Sequence, residues 1–357
     1  MDRVYNFNAG PSAMPLEVLQ EARAEFLNYK NTGMSIIEMS HRSPEYAAMH
    51  AETKALLRGL MEIPDDYEIL FIQGGGSLQF LMTAANFFTN KRAAYANTGV
   101  WAKKAMAEAK RFGEAYEACT SAGKNHSYIP QRLELKPDTS YLHITANNTI
   151  YGTQWQDFPD VSVPVICDMS SDILSRPVDV KKFSLIYAGA QKNLGPAGVV
   201  IVIVKKAFLE TARTDLPPML SYQNYADNDS LYNTPPVFAI YMVNKTLHWI
   251  KTQGGVNAIA ARNREKAQLI YDVIDASRGF YRGHAEKTSR SLMNITFNLQ
   301  MPEMEKDFIA EGKKRGFIGI GGHRLVGGCR VSAYNAVTPE ACRALADFMK
   351  EYQAKHE

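Results

Sequence analysis

The chain has 357 residues, of which 46% are hydrophobic and 22% charged, and a formal net charge of +3. Its length suits a large core divided between two domains, since single cores stop growing near about 250–300 residues, and its small, scattered positive balance argues against a nucleic-acid or membrane-surface binder. Cys119, Cys167, Cys329 and Cys342 are too far apart for a zinc cluster or a disulfide scaffold; with no apolar leader at residues 1–7 and no run near the roughly 20 apolar residues of a membrane helix, the expected location is the cytoplasm.

Ala9-Gly10-Pro11-Ser12 signals a turn, and residues 15–29 then place Leu16, Leu19, Ala22 and Phe26 on one helical face. At Ser40-His41-Arg42-Ser43-Pro44 the pattern breaks, with Ser43 suited to cap a helix and Pro44 to open it, so that a helix is expected over residues 44–60. His41 and Arg42 fall in the loop before it, as a solvated basic pair or as a binding pair. Residues 68–73 read as a strand, followed by Gly74-Gly75-Gly76-Ser77 and a helical run over 78–88. Strand, glycine cluster and helix N-terminus together can cradle a phosphate, because bare backbone approaches closely and free N–H groups attract the anion. The stretch lacks the Gly-Lys-Ser/Thr of a P-loop and is not the dinucleotide fingerprint; taken alone, a glycine turn made for packing is at least as common.

A strand over 94–97, a Thr98-Gly99 turn and a helix reaching Arg111 follow, with Trp101 at the helix start. Its ring is placed either to cover a planar cofactor or simply to pack. Residues 140–144 form a further strand in which His143 reads as a core histidine, and 147–152 the loop beyond it. Residues 163–168 are an apolar strand ending in Asp168, at the carboxyl end where α/β proteins bind their ligands. Over 184–204 two β-branched runs flank an interruption carrying Lys192. A lysine held between buried strands is partly desolvated, which favours the neutral, nucleophilic amine. An acid at one strand end and an amine after another suit pyridoxal phosphate, whose ring nitrogen needs an acidic partner and whose aldehyde needs a lysine.

Residues 215–236, rich in Asp, Asn, Pro, Ser and Tyr, suit a long functional loop. Helices over 237–251 and 256–275 come next, then a strand over 293–297, a helix over 302–314, a strand over 329–332 and a terminal helix over 339–352. Between them the glycine-dense residues 316–328 carry His323 and Arg324, with Arg330 on the strand that follows. Guanidinium groups match carboxylates bidentately and serve phosphates nearly as well. The alternation of strands and helices indicates an α/β fold with a mostly parallel sheet, followed by a smaller α+β part.

The runs 168–177 (DMSSDILSRP) and 187–198 (YAGAQKNLGPAG) resemble the phosphoserine aminotransferase family, class V enzymes of fold type I that use pyridoxal phosphate. The likeness extends from Phe7-Asn8-Ala9-Gly10-Pro11 through Ser40-His41-Arg42, Tyr232-Asn233-Thr234-Pro235-Pro236 and residues 322–328 (GHRLVGG) to Arg330 and Tyr334-Asn335-Ala336. It implies a large cofactor domain with a mostly parallel seven-stranded sheet at 16–255, a smaller α+β domain at 256–357, and an N-terminal segment, 1–15, packed with the latter. It implies that Lys192 carries the cofactor and moves the substrate proton, that Asp168 faces the pyridine nitrogen, and that Trp101 stacks on the ring. Thr149, Gln191, Gly76 and Ser77 would complete the cofactor site, with Asn233 and Thr234 reaching the phosphate of a neighbouring subunit's cofactor in a homodimer. Arg330 would hold the substrate α-carboxylate, and His41, Arg42, His323 and Arg324 a distal anion. The implied reaction is between L-glutamate and 3-phosphohydroxypyruvate, giving 2-oxoglutarate and O-phospho-L-serine; some family members also make 4-phosphohydroxythreonine. No metal is implied. Ala9 and Ser77 depart from relatives that carry serine and arginine there.

Three other functions compete for this pattern. Alanine- or serine-glyoxylate transaminases have no use for the four basic residues of the distal site. A cysteine desulfurase needs a cysteine in an exposed Gly/Ser-rich loop, whereas Cys329 opens a strand. A nucleotide-binding α/β protein would need a complete glycine fingerprint.

Overall fold

The computed structural model describes residues 3–356. Its main sheet has seven strands, numbered here along the chain as β1 (Tyr67–Gly74), β2 (Arg92–Asn97), β3 (Glu114–Thr120), β4 (Thr139–Thr145), β5 (Val165–Asp168), β6 (Leu185–Gly189) and β7 (Gly198–Lys205). Their spatial order is β1-β7-β6-β5-β4-β2-β3. Only β7 runs against its neighbours, so the sheet is mostly parallel, as the sequence implied.

The strand runs are continuous rather than alternating because both sheet faces are covered. Ile69 and Phe71 of β1 and Ile201 and Ile203 of β7 join one core, shared with Tyr46, Met49 and Leu57 of the helix Pro44–Leu60 and with Tyr241, Val243 and Leu247 of the helix Val237–Thr252. The residues between them, Leu70, Ile72, Val200 and Val202, join the opposite core with Phe80 and Met82 of the helix Gly76–Phe87. His143 of β4 is fully buried against this second face, its Nε2 2.9 Å from the Tyr187 hydroxyl. Burial pulls its pKa down to about 3, which leaves it neutral near pH 7.

A third core lies around an antiparallel sheet of Tyr281–Gly283, Asn294–Leu299 and Cys329–Ser332, with Asn294–Leu299 in the middle. The helices Gly255–Ala276, Pro302–Lys314 and Pro339–His356 pack on it. Phe7 is fully buried in this core, and Tyr5–Asn6 pairs in parallel with Phe317–Ile318, so the N-terminal segment is part of it. The helix Gly255–Ala276 joins the two halves: Ile259 sits in the first core, and Ala267, Ile270 and Ile274 in the third. Among the described residues no helix is long and apolar enough to cross a membrane.

Three elements differ from the sequence expectation. The first helix is Leu16–Glu25, and positive φ at Lys30 and Asn31 breaks the chain before it can extend further. Three of the four residues of its expected apolar stripe face outward, Leu16, Leu19 and Phe26 at 47%, 38% and 39% exposure, while the fourth, Ala22, is buried together with Val18. Strand β3 had no counterpart in the reading because it is an edge strand whose residues are mostly half-buried or exposed, so no apolar run marks it. The stretch 215–236 is built around Pro218–Leu220 and the short helix Tyr222–Asp227, whose Tyr222 and Tyr225 are buried.

If Phe7 is part of the third core, Phe7→Ala should lower the unfolding free energy by about 3–5 kcal/mol, as for other buried aromatics. Urea unfolding followed by fluorescence checks this, and a midpoint unchanged from the parent would contradict it.

Candidate active site

Parallel strands that end together leave a crevice at their carboxyl ends. Here β1 leads to Gly75 and Gly76, β4 to Asn147 and Thr149, and β6 to Gln191 and Lys192, while β5 ends at Asp168 itself. These residues line a cleft of about 390 Å3, closed from the other half of the chain by His323, Arg330, Ala9 and Gly10.

The N-terminal segment straps the lysine loop down. Ser12 N–H donates to the Gln191 carbonyl at 3.0 Å, and Ser12 Oγ to the Lys192 carbonyl at 2.6 Å. Gly10 lies against the Lys192 stem, a Cβ there standing 3.6 Å from Lys192 Cε and Cγ. Lys192 Nζ is 6.0 Å from the centre of the Trp101 ring.

Burial pushes the Lys192 amine below the ordinary lysine range; the Asp168 carboxylate opposes that shift and the Arg330 guanidinium adds to it. Burial likewise raises Asp168, against the pull of Lys192 and of Ser170, whose N–H donates to Asp168 Oδ1 at 2.9 Å. Desolvation dominates both, so each group is more easily neutral than in water.

Thr149 ties two sides of the cleft together. Trp101 Nε1 donates to its hydroxyl and Arg330 Nη1 to its carbonyl, each at 3.0 Å. Arg330 Nε is buried without a partner, and among the described residues no carboxylate pairs with this guanidinium. An unmatched, half-buried guanidinium is a receptor for an anion. At the other end, the helix Gly76–Phe87 starts after Gly75 with no side chain capping it, so its first N–H groups face the cleft. A Cβ on Gly75 would meet nothing within 4 Å.

The structure therefore brings together Gly76, Ser77, Trp101, Thr149, Asp168, Gln191, Lys192, His323 and Arg330. It does not bring the remaining expected residues into the same cleft. Arg42 is exposed and its Nε donates to His41 Nε2 at 3.4 Å, in the turn before the helix Pro44–Leu60. Asn233 and Thr234 are exposed, Asn233 Nδ2 donating to Gln73 Oε1 at 3.3 Å. Arg324 is exposed beside His323. Within one chain, then, the distal basic group is divided: His323 lies in the cleft, and His41 and Arg42 lie outside it.

Two residues escaped the sequence reading. Ser170 accepts the Gly189 N–H at 3.1 Å and lines the cleft two positions after Asp168. Lys104 sits one turn after Trp101 with its amine 5.0 Å from the ring centre, and together with Arg330 and Arg324 it helps hold His323 below the ordinary histidine pKa, after burial. The i, i+3 spacing from Trp101 was the available signal.

Residues 4–345 match the model of the family described as Aminotransferase class-V, and the chain belongs to that family. It is 55% identical over 359 residues to the phosphoserine aminotransferase of Lysinibacillus sphaericus (strain C3-41), covering 99% of each. It superposes with a TM-score of 0.98 on the phosphoserine aminotransferase from Bacillus circulans subsp. alkalophilus, at 52% identity and full coverage of both. A pyridoxal-phosphate-bound phosphoserine aminotransferase from Trichomonas vaginalis gives a TM-score of 0.93 at 39% identity, covering 98% of this chain and 100% of that one. Within class V the chain thus belongs with the phosphoserine aminotransferases.

The cleft fits pyridoxal phosphate by its own chemistry: a desolvated amine, a buried carboxylate, an indole between them and the rim, and an uncapped helix start for the phosphate. The charge balance around Lys192 yields a signed prediction. Trapping of pyridoxal phosphate by borohydride at Lys192 should rise at a pH below that of ordinary lysines. Asp168→Asn removes a charge that favours the ammonium and shifts that rise to lower pH; Arg330→Met removes a charge that opposes it and shifts it to higher pH. Peptide mapping across a pH series reads both shifts, and movement in the opposite sense would show that the two charges do not act on this amine.

Proposed function

We propose that this chain catalyses the reversible transfer of an amino group between L-glutamate and 3-phosphohydroxypyruvate, giving 2-oxoglutarate and O-phospho-L-serine. The observation that carries the reading is the placement of a desolvated Lys192–Asp168 pair, the unneutralised Arg330 guanidinium and the His323 imidazole around one cleft. When bound, pyridoxal phosphate supplies the electron-accepting ring that makes the substrate α-proton labile.

The protein's own groups do the rest. Lys192 would hold the cofactor through its amine, and its Nζ, neutral in this desolvated site, would take the proton from the substrate Cα. Asp168 would pair with the ring nitrogen and favour its protonated form. Trp101 would cover the ring, Thr149 and Gln191 would hold the cofactor, and the N–H groups of Gly76 and Ser77 would hold its phosphate. Arg330 binds the α-carboxylate shared by all four substrates. His323 and Arg324, with His41 and Arg42 of a second copy, bind the distal carboxylate or phosphate. One basic site for both anions lets the two substrate pairs alternate, and the same site would take 4-phosphohydroxythreonine.

The reading requires a homodimer. Leu19, Phe26 and Leu27 present an exposed apolar face beside Phe238, a surface that a second copy would cover. Asn233 and Thr234 lie exposed outside their own chain's cleft, as residues serving a second one would. We place the domain limits at 15/16 and 255/256, supported by the burial of Phe7 and by the bridging helix Gly255–Ala276, and assign the protein to the cytoplasm.

O-phospho-L-serine should bleach the cofactor absorption of the holoenzyme much faster than L-alanine does; faster bleaching by alanine rejects the assignment. Lys192→Ala should lower kcat by at least about 10²–10⁴-fold, the usual worth of a positioned acid–base group. Shared sites make a second forecast. Mixing and reassociating inactive Lys192→Ala and Arg42→Ala dimers should restore up to about a quarter of wild-type activity, because half the dimers then hold one intact site. No recovery in demonstrably mixed dimers would place Arg42 outside the partner's site.

A further inference from the structure

The segment leaving β5 is gripped by three asparagines from three distant parts of the chain. Asn193 Nδ2 donates to the Ile173 carbonyl at 3.1 Å, Asn335 Nδ2 to the Leu174 carbonyl at 3.0 Å, and Asn263 Nδ2 to the Ser175 carbonyl at 2.9 Å. The three also bond to one another. The Asn335 N–H donates to Asn193 Oδ1 at 3.1 Å, and Asn263 Nδ2 donates to Asn335 Oδ1 at 2.9 Å. All three are buried, at 5%, 2% and 0% exposure for Asn193, Asn335 and Asn263.

Between the gripped carbonyls, Leu174 has φ of 57°, a left-handed conformation that a leucine adopts only when its surroundings impose it. Strain held in this way, four residues after a cleft-lining serine, points to a geometric requirement rather than to stability alone. The turn bearing Asn335 is held elsewhere too. Lys266 Nζ donates to the Ala333 and Tyr334 carbonyls at 3.0 and 2.7 Å, and the Tyr334 hydroxyl donates to the carbonyl of Ala9, which lines the cleft.

Asn193 follows Lys192 directly, and the turn follows the strand that carries Arg330. Asn335 is therefore the point where the lysine loop, the segment after Asp168 and the arginine strand meet. We propose that Asn335 is a positioning residue for the reaction, setting the Arg330 guanidinium against the Lys192 amine so that a substrate's α-carboxylate and α-carbon are held in register. The proposal rests on the aminotransferase reading. It predicts a defect common to every substrate, since all carry the α-carboxylate, unlike a defect at the distal anion site.

The test is a double-mutant cycle on the holoenzyme with Asn335→Ala, Arg330→Lys and their combination, following the half-reactions with L-glutamate and O-phospho-L-serine. Asn335→Ala should keep the bound-cofactor absorption yet lose about 30–100-fold in kcat/KM, to the same extent for both amino acids, as expected for an ångström-scale misplacement. In the Arg330→Lys background the same change should cost less than about 3-fold, because the group through which it acts is already displaced. Losses that multiply, a loss confined to one amino acid, or activity within about 2-fold of wild type would each overturn the proposal. If Asn335→Ala does not fold, Asn193→Ala, which removes the side-chain oxygen that accepts the Asn335 backbone N–H and so loosens the lysine loop from the same turn, is put through the same cycle with the same criteria. Failure of the wild-type holoenzyme to react with O-phospho-L-serine would refute the functional reading instead, and the cycle is then judged on L-glutamate alone.

Discussion

A lysine amine kept away from water, with a carboxylate on one side and a guanidinium on the other, is the constraint on which the rest of this molecule turns. Burial alone depresses the amine, but the nearby Asp168 charge works to restore the ammonium. Arg330 counters Asp168, and it comes from the other half of the chain. A fold that needs both charges near one amine must hold its two halves in fixed relation. The strap of Gly10 and Ser12, the helix Gly255–Ala276 and the asparagine cluster are three separate ways in which this chain does so. Buried amide networks suit that work because each member is costly to leave unpaired, so they tolerate few alternative arrangements.

How much of this could be read from the sequence depended on where each signal is stored. Strands β1, β5, β6 and β7 are legible because both their faces are buried, which turns position in the sheet into an unbroken apolar run. The helix Pro44–Leu60 announces itself locally: Ser43 accepts the Tyr46 N–H at 3.2 Å, and Pro44 opens the first turn. Edge strand β3 has neither property. The first helix misleads for a different reason, since its apolar stripe obeys the helical period yet largely faces away from its own chain's core. Periodicity reports that a face is apolar without saying what covers it.

The same division holds in the cleft. Lys192 and Asp168 could be singled out because each stands at the end of a readable strand. Asp172, also acidic and only four residues on, looks similar in sequence, but it is fully buried and paired with Arg176 at 2.9 Å, which makes it structural. Ser170, Lys104 and Asn335 had no such marker. Ser170 and Asn335 act through partners far along the chain, which no local pattern encodes, and Lys104 offers only its i, i+3 spacing from Trp101. His41 and Arg42 were visible as a pair, but the sequence carries no sign that they lie outside their own chain's cleft.

The crowding of cations at the rim bears on how one site can accept two kinds of anion. Burial, and after it Arg330, Arg324 and Lys104, hold His323 below its ordinary pKa, so the imidazole is more easily neutral and the rim is spared one positive charge. A carboxylate adds one negative charge and a phosphate close to two, and the larger charge favours protonation of a neighbouring histidine more strongly. On the function proposed above, a histidine so placed would adjust the charge of the rim to that of the ligand, where a fourth permanent cation would leave the carboxylate overmatched. That adjustment requires the depressed pKa and the surrounding fixed cations together, and both follow from packing a glycine-rich loop beside the strand that carries Arg330.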